Sequence, residues 1–183
     1  MCHAANAFEQ PSGSVVLDCV QWSTPGMGVS ATPVGGIARA VIDPVTGTMT
    51  RDQLDDIAVE FPRTDDRLIG HEHPTIAVGA KTGKRDLMSG AYDAVRWYQP
   101  GTGSFVEWQG GSLAVGEPAF VPRPGDPEPR HGWWVTFAID LVDQSSWFVV
   151  FSADAPEDGP IAKVAIPVRV PLGLHGNWLP TEE

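Results

Sequence analysis

Apolar and β-branched residues recur along this chain in short runs with a period near two, and turn-forming residues close each run. The pattern predicts strands over residues 14–22, 37–43, 92–98, 104–108, 132–140, 147–152 and 161–166. Pro44 to Gly47 and Gly101 to Gly103 mark turns between neighbouring strands. No run carries the 3.6-residue period of an amphipathic helix, so the prediction is an all-β fold. Repeated hairpins of this kind point to blades of a propeller, and at roughly 40–45 residues per blade the chain supplies about four.

Composition adds exclusions. The chain has 183 residues, 42% hydrophobic, which is enough for one domain core. Its 20 Gly and 17 Pro punctuate the sequence at short intervals, in keeping with many short strands. The net charge of −11 argues against phosphate backbones and anionic membrane surfaces as partners. The apolar run 147–151 is far too short to span a bilayer, and no secretory leader is visible. Cys2 and Cys19 cannot build a disulfide framework, so the expected setting is the reducing cytoplasm. The Gly-Gly pairs at 35–36 and 110–111 open no helix and match no phosphate-binding fingerprint.

The residues that carry chemistry lie near the two ends and at two points between. His3 leads an N-terminal strand, and His175 stands in the glycine-flanked segment 172–178 that follows an apolar run. Glu60 falls in Glu-Phe-Pro-Arg (60–63), and Glu117 in Gly-Glu-Pro-Ala-Phe-Val-Pro (116–122). An imidazole that binds metal through one nitrogen needs an acceptor at the other, and a carboxylate is the best acceptor. The alternation of Ile57, Val59 and Phe61 leaves a second reading of Glu60 open, as an exposed residue on the opposite strand face.

These four segments, in this order and across nearly the whole chain, resemble the carotenoid cleavage oxygenases, the family of the retinal pigment epithelial isomerase and the stilbene-cleaving dioxygenases. The resemblance implies a seven-bladed propeller of which residues 1–183 form the C-terminal blades, with the N-terminal blades absent. It implies that His3 and His175 are two of four histidine ligands of a ferrous ion, with Glu60 and Glu117 accepting hydrogen bonds from them. It implies a non-heme iron dioxygenase that adds O2 across a conjugated double bond of a carotenoid, apocarotenoid or stilbene and releases two carbonyl products. Phe8 and Trp178 are candidates to line an apolar substrate tunnel, with ordinary core packing as the other reading. Membrane contact is expected only through segments outside this chain, and the chain alone is expected to be inactive. Leu174 and Thr64 depart from the family pattern, where Phe and an aliphatic residue are usual. A non-catalytic propeller module that binds a protein or glycan is the competing reading, and convergence of His3, Glu60, Glu117 and His175 discriminates between the two.

Three other histidines are read as structural. His71 and His73 have the spacing of two imidazoles on one strand face, but a Gly- and Pro-bounded loop carries them. His131 falls in a turn between Arg130 and Gly132.

Overall fold

The computed structural model describes residues 3–22, 35–87, 90–173 and 175–181; Cys2 and Leu174 lie outside the described residues. Three antiparallel sheets follow one another along the chain. The first runs β1 (Ala4–Glu9), β2 (Val15–Trp22), β3 (Gly35–Asp43), β4 (Thr48–Gln53), and the second β5 (Val59–Arg63), β6 (Ile76–Ala80), β7 (Ala94–Gln99), β8 (Ser104–Gln109). The third holds β9 (Leu113–Val115) and β10 (Ala119–Pro122), which both pair with β11 (Gly132–Asp140), then β12 (Ser146–Ser152) and β13 (Pro160–Ile166).

Each sheet is an up-and-down meander, the unit of a propeller blade. Among the described residues their number is three rather than the expected four. The difference lies in the connections: residues 64–75 join β5 to β6 and residues 123–131 join β10 to β11, so each blade takes up more chain than a compact propeller repeat.

Apolar side chains fill both junctions between blades. Val20 and Ile37 of the first blade meet Val59, Ile76, Val78 and Tyr98 of the second, and Trp97 and Val95 of the second meet Phe120, Trp134, Val149 and Phe151 of the third. Polar ties reinforce the first junction. Asp18, fully buried, receives both Arg39 Nε (2.8 Å) and Arg39 Nη2 (2.7 Å), and His73 Nε2 stands 3.0 Å from its other side. His73 Nδ1 in turn lies 3.0 Å from Asn6 Nδ2 on β1. Burial works against the Asp18 carboxylate, but the hydrogen bonds from Arg39 and His73 outweigh it and hold its pKa below the usual range. His73 thus staples the 64–75 connection to the first blade, while His71 points to solvent. His131 pairs through Nδ1 with Asp126 Oδ2 at 2.8 Å within its turn.

The first strand of every sheet contains one more residue than its partner segment. In β1 two steps, Ala4 to Asn6, face the single step Cys19 to Asp18. In β5 three steps, Glu60 to Arg63, face the two from Gly79 to Ala77. In the third blade, Val115 pairs Ala138 and Ala119 pairs Val135, so four steps face three, and the strand breaks into β9 and β10 around Gly116, Glu117 and Pro118. Extra residues of this kind bend a strand and re-aim side chains. His3, Glu60 and Glu117 lie at or beside these three irregularities, whereas His175 stands in the segment after β13.

Candidate metal centre

Strand alternation would send Glu60 and Phe61 to opposite faces. The bulge in β5 overrides it, and both are buried. Phe61 takes φ = 56°, one of two non-glycine residues with positive φ among the described residues, and Phe61 N–H, lost to the ladder, donates to Glu60 Oε2 at 3.1 Å. Left-handed backbone at a bulky residue costs on the order of 1–2 kcal/mol. The return is position: the Phe61 ring stands 6.1 Å from that of His3 and 5.8 Å from that of His175, centroid to centroid. Tyr92 backs it edge-on at 5.6 Å, in space that Gly79 leaves open opposite Glu60; a Cβ at Gly79 would sit 3.0 Å from Tyr92 Cγ.

His3 and His175 meet directly. Their ring centroids are 5.1 Å apart at an interplanar angle of 78°. His3 Nδ1 lies 2.6 Å from Glu60 Oε2, and His175 Nδ1 lies 3.4 Å from Glu117 Oε1. Both carboxylates are buried, with 8% and 6% of the side chain exposed, against 38% for His3 and 60% for His175. A carboxylate accepts only, so each Nδ1 carries a proton, which leaves Nε2 as the nitrogen a metal could take. Glu60 is held from a further side by Trp22, whose Nε1–H donates to Oε1 at 2.6 Å. Glu117 accepts from the Gly176 backbone N–H.

This donor set fits a metal. With metal–nitrogen bonds of roughly 2 Å, two imidazoles bound side by side at angles between the octahedral and tetrahedral values have centroids about 4.5 to 5.3 Å apart, and the observed separation falls inside that window. The carboxylate behind each Nδ1 is the arrangement that fixes the tautomer of a metal-bound histidine. Among the described residues no group of three or more His, Cys, Asp or Glu side chains gathers into a metal site. His71 and His73 do not join the pair.

Arg63 ties the two halves of the centre. It donates from Nη1 to the Gly176 carbonyl (2.7 Å) and from Nη2 to Asn177 Oδ1 (2.9 Å), and Nη1 stands 3.5 Å from Glu117 Oε2. Asp66 accepts from the same Nη2 at 3.1 Å. Sequence reasoning gave no role to Arg63, Phe61 or Trp22. The Glu-Phe-Pro-Arg segment contains the first two, but nothing in the sequence connects Trp22 to Glu60. Phe8 lies well down β1 from His3 and packs edge-on against His73 at 5.8 Å, and Trp178 is exposed near the chain's end. The ring beside both histidines is Phe61, with Tyr92 behind it.

A cavity of about 60 Å³ lies under the His175 segment, bounded by Glu117, Phe137, Ile139, Val170 and Leu172. It is much smaller than pockets of roughly 300–1,000 Å³ that enclose organic ligands. A larger cavity, about 260 Å³ between Trp97, Phe120 and Trp134, shares no lining residue with the histidine pair.

Residues 1–180 match the family model described as retinal pigment epithelial membrane protein. The carotenoid cleavage oxygenase of Mycobacterium tuberculosis is 30% identical over 98% of this chain and 37% of its own length. The lignostilbene-α,β-dioxygenase isozyme III of Sphingomonas paucimobilis is 29% identical over 96% of this chain and 40% of its own. The cobalt-substituted apocarotenoid oxygenase of Synechocystis superimposes with a TM-score of 0.86 at 24% identity, over 98% of this chain and 39% of that one. The chain therefore spans about two fifths of the length of these relatives, and its three blades form part of a propeller.

Proposed function

This chain belongs to the retinal pigment epithelial membrane protein family, the carotenoid cleavage oxygenases, and from that membership we propose that it supplies the C-terminal blades and half the metal shell of an iron-dependent dioxygenase. The reaction is the addition of both atoms of O2 across a conjugated C=C of a carotenoid or apocarotenoid, giving two carbonyl products. Stilbene-type substrates are the alternative, favoured by the likeness to the lignostilbene enzyme. The observation that carries the proposal is the His3–His175 pair, each ring backed by a buried carboxylate.

In this reading His3 and His175 would hold ferrous iron through Nε2, and two histidines from a segment ahead of residue 3 would complete the shell. When bound, the iron would supply the chemistry that activates dioxygen. The chain's own residues do the rest. Glu60 and Glu117 hold the Nδ1 protons, fixing each ring's orientation and placing negative charge one hydrogen bond beyond the ring. Phe61, backed by Tyr92, walls the space beside both rings with apolar surface that excludes water. Trp22 fixes the Glu60 carboxylate in the orientation that His3 requires.

Convergence of all four sequence-selected residues in two hydrogen-bonded pairs favours this reading over a non-catalytic module. No helix among the described residues is long and apolar enough to cross a membrane; a cytoplasmic setting belongs to the same proposal. The direct test is iron content and O2-dependent cleavage of a conjugated substrate by this chain joined to the missing blades. Loss of both on His175→Ala supports the assignment, and retention of both overturns it.

A further inference from the structure

We propose that Arg63 is the positioning residue that sets His175 against His3. The proposal deepens the metal-centre reading and rests on it. Two features make this arginine unlike a surface ion pair. Its guanidinium, with 18% of the side chain exposed, is engaged at both ends of its fork by the segment that carries His175, namely the Gly176 carbonyl and the Asn177 side chain. And its backbone ends the same bulge that places Glu60 and Phe61 beside His3.

The need for such a strut follows from the local structure. Residues 171–173 and 175–181 belong to no strand and are mostly exposed, so no ladder fixes where His175 stands. Its own contact to Glu117, at 3.4 Å, is long for a charge-assisted hydrogen bond and is too weak to fix the ring alone. His3, by contrast, precedes β1, its carbonyl accepts from Val20 N–H at 2.8 Å, and its Nδ1 lies 2.6 Å from Glu60. One histidine is set by the sheet, and the segment of the other is held by Arg63 together with Glu117, which accepts from Gly176 N–H. Planar bidentate donation is what fixes both distance and orientation, and a lysine ammonium cannot reproduce it. Asp66, accepting from Nη2, keeps the guanidinium from rotating away.

Imidazole nitrogen NMR on the whole chain at pH 8, without metal, tests this. In the parent protein both His3 and His175 should give the spectrum of the Nδ1–H tautomer. Arg63→Met should release His175 to the tautomer mixture of a free imidazole, while His3 keeps its spectrum and the melting temperature changes little. Arg63→Lys should leave His175 partly released. Asn177→Ala, which removes one acceptor and leaves β5 untouched, should shift His175 in the same direction and covers the case of an Arg63 variant that does not fold. An unchanged His175 in the variants overturns the proposal, as does simultaneous loss of both tautomers, which would make Arg63 a support of the sheet. The readout uses neither metal nor turnover, so it succeeds or fails independently of the oxygenase reading.

Discussion

The ring of His3, at the head of the first blade, meets the ring of His175, beyond the end of the last, at 5.1 Å and 78°. Neither lies within a strand. Each is backed by a glutamate displaced from the regular ladder by an extra residue, Glu60 in the β5 bulge and Glu117 in the break between β9 and β10.

The two carboxylates should respond differently to neutralisation. Three donors converge on Glu60: His3 Nδ1, Trp22 Nε1 and Phe61 N–H. A glutamine offers one oxygen to them and turns its own N–H2 toward another donor, so Glu60→Gln should destabilise the fold by about 1–3 kcal/mol. Glu117 serves an exposed segment, and Glu117→Gln should leave unfolding by urea nearly unchanged. In the reconstituted enzyme both should weaken metal binding roughly ten- to a hundredfold, measured by Co2+ titration. Equal urea midpoints for the two variants would contradict this account of Glu60.

Phe61 offers a test of backbone strain. Truncating a buried Phe costs about 3–5 kcal/mol, and glycine ordinarily costs more than alanine. At φ = 56° the order should invert, because glycine adopts that region freely and alanine does not. Phe61→Gly is expected to unfold at higher denaturant than Phe61→Ala; the reverse order would show that the bulge relaxes once the ring is gone.

Acid stability should be governed in part by Asp18 and Asp55. Burial opposes ionisation at each, yet Arg39 and His73 at Asp18, and Tyr98 and Arg96 at Asp55, lower both pKa values below the unfolded ones. A depressed carboxylate pKa contributes stability that is full above the unfolded value, near 4, and is lost as pH falls through the folded value. Urea midpoints should therefore be flat with respect to these groups above about pH 5 and drop below pH 4. Asp18→Asn should lower the midpoint at neutral pH and flatten the acid limb. An unaltered acid limb in that variant would contradict the assignment.

Much of the fold could be read from alternation, and the exceptions have physical causes. β4, Thr-Met-Thr-Arg-Asp-Gln, is exposed throughout, so burial imposed no apolar pattern on it. β6, Ile-Ala-Val-Gly-Ala, is buried throughout, which also erases alternation. The bulge at Glu60 is invisible to a period-two reading, and that reading would have placed Glu60 on the surface. The four motif residues could be named because their segments resemble those of the carotenoid cleavage oxygenases, and the structure brings them together in two pairs. The roles of Trp22, Phe61 and Arg63 were not legible, because they depend on which blade lies against which. His73, read as structural despite its ligand-like spacing to His71, is turned inward to Asp18.

The central claim is that this chain provides two of four histidine ligands, and iron content measured together with O2-dependent cleavage tests it most directly. The chain alone should bind ferrous iron weakly and turn over no conjugated substrate. Supplied with an upstream segment carrying two further histidines, in cis or as a separate chain, it should bind one iron and cleave, and His175→Ala should abolish both. Stoichiometric iron and turnover by residues 1–183 alone would contradict the account.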